Sequence, residues 1–573
     1  MSHATDSIAV TASPRPRTRA LALACLLALA SPWAMAQGND TPGFGLNYWP
    51  RSYKGCEALT DANWPAARQA VAADLDLMKS LGADVLRLSL YMETSGYPAG
   101  VGSSIDPDYC KHLPDLLSTI ENAGFKTVIV FSNTYLLRHQ AGTYDNWQDP
   151  SLGYHAQSNG YWQFVMHSKA WIDRMVGLAG DRESILYYDI QNEYDADRAN
   201  IDYYFRTIYS ESAIPAGKRG ISILDVPADI SSANWHSIPK QLEVLGGTLS
   251  HVEFHSYPTV PKAGCPLHGD IESVYDQMRA AFPASTKIVL GEFGRATTQA
   301  FDPAPDAGPY LPQCNTSEQP DRRWDEPRQR QTELDLIGRA AAKGIPYYLH
   351  WMLWDNTPKS DDFNPANPNH QVYGYGYGPH APKDVIGALA EQRGRVPNAD
   401  FEQLAQIGQL PQRWDKGSWG PANSAPPVSL FVSGGPNSGE AATGDHYARL
   451  QAQQACAACV IWMQADAFDI GPGRRVHMNA YLRSNLAGVQ MKLVQYDAQW
   501  NVLATNVAPA MTASGWSWNN YAVRFREQNP ASASASWSVT TVPGTARAIV
   551  TIGGTPITAP AILDVDAVSV AAD

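Results

Sequence analysis

Eight short apolar runs, each parted from the next by a stretch of helical periodicity, constrain this chain more than any other feature. They are "GLNYWP", "DVLRLSL", "KTVIVFSN", "ILYYDIQNE", "GISILD", "SHVEFHSY", "KIVLGEFG" and "PYYLHWMLW". Most are continuous rather than alternating, as strands buried on both faces are. After the first run, Asp61 is placed to cap a helix with Val71, Leu75 and Met78 on one face, stopping near Gly82. "HLPDLLSTIENAG" follows the second run, "YWQFVMHSKAWIDRMVGLAG" the third, and "RQRQTELDLIGRAAAKG" precedes the eighth. Eight βα units between Gly43 and about Glu391 predict an α/β chain folded as a (β/α)8 TIM barrel with long loops at its carboxyl end. A doubly wound open sheet is the alternative, but its Gly-rich phosphate turn is missing.

The pattern changes after Arg395. Helical periodicity gives way to short strand-like runs, "VHMNAYLR", "MKLVQYD", "YAVRFRE" and "AIVTIGG", punctuated by Gly, Ser, Asn and Pro. That predicts an antiparallel β-sandwich of jelly-roll type over 397–573, following a barrel domain over 37–394. The join "GRVPNADFE" is too short for a free linker, so the two domains are expected to touch. The barrel closes its own sheet, and is expected to fold alone if cut near Pro397. Ahead of both, Arg15, Arg17 and Arg19 precede the apolar run "ALALACLLALA" and a small-x-small site at Ala34-Met35-Ala36. This reads as a cleaved signal peptide over 1–36 and predicts a secreted protein, extracellular or periplasmic. Cys25 suggests a lipoprotein, but Ala22 stands where a lipobox wants Leu. No later run is long enough to span a bilayer. Six of the 7 cysteines lie beyond the leader, an even number for an oxidising compartment. Neighbouring barrel loops would be stapled as Cys56–Cys110 and Cys265–Cys314, and Cys456–Cys459 would close a local disulfide rather than half a zinc site.

Polar residues concentrate where the eight runs end: Asn47, Arg87, Asn133, Asn192 with Glu193, His255, Tyr257, Glu292 and Trp351. In a closed barrel these converge on one face. Taken alone, Asn192-Glu193 also fits a helix cap with a carboxylate near its amino end. The barrel context favours two carboxylates, Glu193 and Glu292, facing each other across a cleft, with the glycines beside Glu292 permitting close backbone approach. Paired carboxylates of this kind perform glycoside hydrolysis. Arg87 would hold Glu292 ionised, and His255 and Tyr257 would point the same way from the sixth strand. Asp189 and Glu253 read as buried supports. The net charge of −13, without a basic run, argues against nucleic acid, and 17 Trp suit a protein that stacks on neutral sugars. Neither a metal cluster nor a cofactor motif is evident, and a monomer is expected.

"RLSL", "DIQNE", "HSY", "VLGEFG" and "HWMLW", in this order on strands two, four, six, seven and eight, resemble clan A glycoside hydrolases, closest to the cellulase-like family 5. The resemblance implies Glu193 as acid/base, Glu292 as nucleophile and Asn192 as a ligand of the sugar 2-hydroxyl. It also implies Arg87, His255 and Tyr257 as supports of the nucleophile and Trp351 as a sugar platform, with Trp354 competing for that role. Many members carry His at the end of strand three, where this chain has Asn133. "NADFEQ…LPQRW" and "AILDVDAVSV" resemble jelly-roll carbohydrate-binding modules, with Trp414, Trp419, Trp462, Trp500, Trp516 and Trp518 as candidate platforms. The function expected is a secreted retaining β-glycosidase acting on a β-linked polysaccharide or oligosaccharide, with a cellulase- or mannanase-like endo-hydrolase favoured. An exo-acting or transglycosylating relative and a non-catalytic sugar-binding protein are the alternatives.

Overall fold

The computed structural model describes residues 43–50, 55–90, 108, 110–131, 158–193, 199–223, 237–256, 271–295, 326–355, 375–378, 380–403, 406–421, 424–435, 438–512, 516–529 and 538–573. The expected signal peptide, Asn133, Tyr257, Cys265 and Cys314 lie outside these residues.

Eight strands pair in chain order, all parallel: β1 (Gly43–Tyr48), β2 (Val85–Ser89), β3 (Lys126–Val130), β4 (Ile185–Asp189), β5 (Arg219–Ile223), β6 (His251–Ser256), β7 (Lys287–Phe293) and β8 (Tyr347–His350). β8 pairs back onto β1 and closes the barrel. Among the helices between them are α1 (Trp64–Ser80), α2 (Leu113–Asn122), α3 (Ser158–Ala179), α4 (Ala199–Glu211), α5 (Ser237–Val244), α6 (Ile271–Ala281) and α7 (Glu326–Lys343). α1 starts later than Asp61 predicts. Pro65 fixes its first turn after Asn63, while Asp61 instead bonds Lys111 at 2.5 Å and His112 at 2.7 Å.

Inside the barrel the apolar filling is small. Val85, Val128, Tyr187 and Leu349 form a plug separate from the main core. Two residues further along β2 and β4 the inward positions are Arg87 and Asp189, because side chains repeat on one face of a strand every second residue. The carboxyl half of the barrel is therefore polar where the amino half is greasy.

Beyond β8 lie β9 (Gly376–Gly378), β10 (Ala381–Pro382) and α8 (Asp384–Arg393). The remaining strands are β11 (Trp414–Trp419), β12 (Val428–Gly434), β13 (His446–Ala452), β14 (Val460–Ala465), β15 (Phe468–Asp469), β16 (Arg475–Ser484), β17 (Ala487–Tyr496), β18 (Val502–Val507), β19 (Asn519–Asn520), β20 (Ser538–Thr540), β21 (Arg547–Thr555) and β22 (Ala561–Ala572). They form two antiparallel sheets, β11-β14-β21-β17-β18 with β15, and β12-β13-β22-β16-β19 with β20. Alternate residues such as Ala448, Leu450, Met491, Leu493, Val550 and Ile552 fill the space between them.

"YAVRFRE" is not a strand. It forms α9 (Tyr521–Gln528), capped by Asn520, whose side chain accepts from the Val523 amide at 3.2 Å. Its buried residues are Tyr521, Ala522, Val523 and Arg526. Arg526 turns inward because Asp76 of α1 meets it at 2.6 Å.

That ion pair belongs to a broad junction between barrel and sandwich. Lys79 of α1 reaches Asp573 at 3.1 Å, Ser80 meets Ser569 at 2.6 Å, and Arg395 donates its backbone N–H to Val570 at 2.8 Å. One apolar cluster runs from the helix side of the barrel through α8 into the sandwich. The expectation of a self-sufficient barrel is therefore revised: Asp76, Lys79 and Ser80 of α1 are buried against partners that the sandwich supplies. Among the described residues no helix is long and apolar enough to cross a membrane. Cys56–Cys110 and Cys456–Cys459 are disulfide-bonded, with Cα–Cα distances of 4.8 and 5.3 Å.

Candidate active site

Arg87, fully buried, organises the carboxyl end of the barrel. Its Nε lies 2.9 Å from Glu253, Nη1 2.7 Å from Glu292, and Nη2 2.7 Å from Asp189. Nη1 also donates to Asn47 Oδ1 at 2.9 Å and Nη2 to Asn192 Oδ1 at 2.6 Å. A planar guanidinium with five donors can hold several acceptors in fixed directions, which a lysine cannot. One residue of β2 thus sets the positions of side chains from β1, β4, β6 and β7. Asn47 continues the network by donating to the Gly291 carbonyl at 3.0 Å.

Gly291 answers a packing demand. A Cβ there would stand 1.9 Å from the Glu253 carboxylate, so only glycine lets β7 pass this ion pair and deliver Glu292 on the next residue. Glu253 and Asp189, read from sequence as supports, are both completely buried. Burial opposes ionisation of Glu253, but Arg87 and His255, with a hydrogen bond from Tyr187, outweigh it and hold its carboxyl below the usual range. Asp189 goes the other way. Burial first and then the Glu253 charge push it up to about 6, against Arg87.

His255 stands between the two candidate catalytic carboxylates. Its Nδ1 is 3.4 Å from Glu193 Oε1 and 3.5 Å from Glu292 Oε2, and its Nε2 is 3.7 Å from Glu253. Burial disfavours the imidazolium, yet the Glu292 charge and the bonds to Glu193 and Glu253 prevail and push it up to about 10. One oxygen each of Glu193 and Glu292 and one nitrogen of His255 lie within 4.8 Å of one another. Two carboxylates and an imidazole are also a possible metal donor set. Carboxylates face both ring nitrogens, Glu193 and Glu292 at Nδ1 and Glu253 at Nε2, which favours a protonated ring, and an ion binding at Nδ1 would have to displace the proton there.

The two glutamates differ in surroundings. Glu292 is buried and faces two cations, Arg87 and His255. Among the described residues Glu193 pairs with His255 alone, and 26% of its side chain is exposed. It follows β4 in a left-handed backbone conformation, φ 54°, which costs a non-glycine residue on the order of 1 kcal/mol. Its amide donates to Ser222 Oγ of β5 at 2.9 Å. Asn192 Oδ1 accepts from Arg87 at 2.6 Å and from Ser222 at 3.2 Å.

Trp351 is 8% exposed, sits outside the main apolar cluster, and packs edge-on against Trp49 with ring centroids 5.6 Å apart. Trp354 belongs to that cluster and donates its indole N–H to Asp74 at 3.1 Å. On the sandwich, Trp414 is buried, whereas Trp419, Trp500 and Trp516 are exposed. Sequence reasoning missed Ser222. The available signal was the inward face of β5, where Gly220 and Ser222 are small in an otherwise apolar run.

No protein-family model matches the chain, and no curated protein matches it. Solved structures similar to it include a GH5_18 protein from Bifidobacterium longum subsp. infantis, 14% identical over 58% of this chain and 74% of that one, with a TM-score of 0.38. An exo-β-1,4-mannosidase from Opitutaceae bacterium strain TAV5 is 16% identical over 56% of this chain and 55% of its own, at a TM-score of 0.35. A β-glucuronidase from Ruminococcus gnavus is 13% identical over 59% and 47%, at 0.33. The chain spans about half the length of the latter two.

Proposed function

We propose that this chain is a secreted retaining β-glycosidase working by double displacement on a β-linked polysaccharide or oligosaccharide. The observation that carries the reading is the approach of Glu193 and Glu292 to within 4.8 Å, oxygen to oxygen, at the carboxyl end of a closed barrel. Retaining enzymes hold their carboxyl groups about 5–5.5 Å apart, and inverting ones about 6.5–9.5 Å, to leave room for water. In the first step a Glu292 oxygen attacks the anomeric carbon, the glycosidic C–O bond breaks, and Glu193 gives its proton to the leaving oxygen. In the second, Glu193 takes a proton from water, the water oxygen attacks the same carbon, and the bond to Glu292 breaks. The cations around Glu292 suit the residue that must attack as an anion, and the more open Glu193 suits the one that exchanges protons with an incoming group.

Asn192, fixed by Arg87, would donate to the sugar 2-hydroxyl, and Trp351 would form the platform beneath the ring. Arg87 and His255 hold Glu292 in place. The chemistry is the same for endo action, exo action and transglycosylation, and endo-hydrolysis is the favoured expectation. The exposed Trp419, Trp500 and Trp516 give the sandwich sugar-stacking surfaces of its own. Proton NMR of the first product released from a β-linked substrate tests the mechanism: the β-anomer is expected to appear before mutarotation, and an α-anomer would contradict it.

A further inference from the structure

We infer that Ser222 is a positioning residue for the proton-transfer step, a deepening that rests on the glycosidase reading above. Three facts meet at its hydroxyl. Glu193 follows β4 in a left-handed conformation, so the direction of its side chain depends on what holds its backbone. Its amide is held by Ser222 Oγ at 2.9 Å. The same hydroxyl reaches Asn192 Oδ1 at 3.2 Å and the Gln191 carbonyl at 3.4 Å as a donor. A hydroxyl accepts one bond and donates another from a single atom, and this arrangement uses both. Regular β4–β5 pairing ends at Asp189 and Gly220. Backbone bonds continue past that point, from the Ile190 amide to the Gly220 carbonyl at 3.0 Å and from the Ser222 amide to the Gln191 carbonyl at 3.3 Å, and beyond them the Ser222 hydroxyl is the bridge that holds the Glu193 amide.

The bridge is selective. Asn192 keeps its hold on Arg87 at 2.6 Å without Ser222, and Glu292 keeps Arg87 and His255. Ser222 itself stays anchored through its own amide, which donates to Asp189 Oδ1 at 3.1 Å. Removing the hydroxyl therefore frees chiefly the backbone of Glu193. A carboxyl group that wanders from the glycosidic oxygen is a poorer general acid, while the nucleophile and the sugar contacts remain.

The test compares kcat/KM of the wild type and Ser222→Ala on two β-glycosides of a sugar the wild type cleaves. One has a 2,4-dinitrophenyl leaving group, which departs without protonation, and the other an alkyl leaving group, which needs it. Because kcat/KM reports the first step, it is expected to stay within ~2-fold on the dinitrophenyl glycoside and fall ~10–100-fold on the alkyl glycoside. Ser222→Thr, which keeps the hydroxyl, is expected to recover most of the loss. A merely structural role would depress both substrates together, and that result, or no loss on either, overturns the inference. Should the alanine variant fail to fold, the near-isosteric Ser222→Cys replaces it, with the same split expected and the same results overturning it. A wild type that cleaves no glycoside defeats the underlying glycosidase reading instead.

Discussion

Arg87 binds side chains from four other strands, so small disturbances beside it reach the whole site. Gly291→Ala is the mildest such disturbance. Its methyl group would overlap the Glu253 carboxylate and force it off the Arg87 guanidinium. Overpacking of this kind costs about 1–3 kcal/mol. Urea unfolding is expected to show that loss together with a reduced kcat, and a variant as stable and active as the wild type would contradict the packing account. At this scale much of the site was legible in the sequence. Glu193, Glu292, Arg87, His255 and Asn192 all end apolar runs, and charged or amide groups in such places have few structural reasons to be there. Ser222 left only the trace of a small polar residue in an apolar run, which carries no sign of which backbone it will hold. Glu253 and Asp189 were readable as buried supports, but not their opposite ionisation behaviour, which depends on their distances to Arg87 and to each other.

The connection from β12 to β13 is held by carboxylates from β22, from α8 and from the segment that follows α8. Asp566 of β22 accepts from the amides of Ala442 and Thr443, Asp384 of α8 from Gly444, and Glu402 from Asp445 and His446. Burial and the Glu326 charge push Asp384 up to about 6, and burial and the Glu391 charge do the same to Asp400 nearby. These folded values lie above the unfolded value of 3.8, so the folded chain binds the extra protons, and stability rises as pH falls through about 6. Asp189 adds in the same direction. His251, lowered to about 3 by burial and Lys287, opposes it below 6.5. Asp566 and Glu391, both raised chiefly by burial, add in the same direction as the three aspartates, and their combined excess over His251 predicts a higher Tm at pH 5 than at pH 7, with the rise reduced in Asp400→Asn. A Tm that falls over that interval in the wild type would contradict the assignment. Element types were mostly readable from periodicity, and α9 is the instructive failure. In "YAVRFRE" Val523 and Phe525 alternate with Arg524 and Arg526, which imitates a strand. The local helix signal is the Asn520 cap on the Val523 amide, and the burial of Arg526 on Asp76, 450 residues away, lies where no local pattern reaches.

Across the whole molecule, barrel and sandwich share one apolar cluster and buried polar pairs. Arg526→Ala would leave Asp76 buried without its cation, a loss of about 3–5 kcal/mol. Calorimetry is expected to show one cooperative transition for the wild type, shifted down in the variant. Two independent transitions, with only one shifted, would contradict the shared core. A chain ending near Pro397 is expected to aggregate for the same reason. The barrel and sandwich were each visible in the pattern of runs, but their union was not, since α1 reads as an ordinary amphipathic helix until its polar residues find partners in α9 and β22. The central claim, that Glu193 is the acid/base and Glu292 the nucleophile, is tested most directly by azide rescue with an aryl β-glycoside. In Glu193→Ala the covalent intermediate still forms but no base activates water, and azide, which needs none, is expected to restore turnover and release a β-glycosyl azide. In Glu292→Ala any azide product is expected to be the α-anomer, by direct displacement. Exchanged anomers would reverse the two roles, and wild-type activity in both variants would contradict the account.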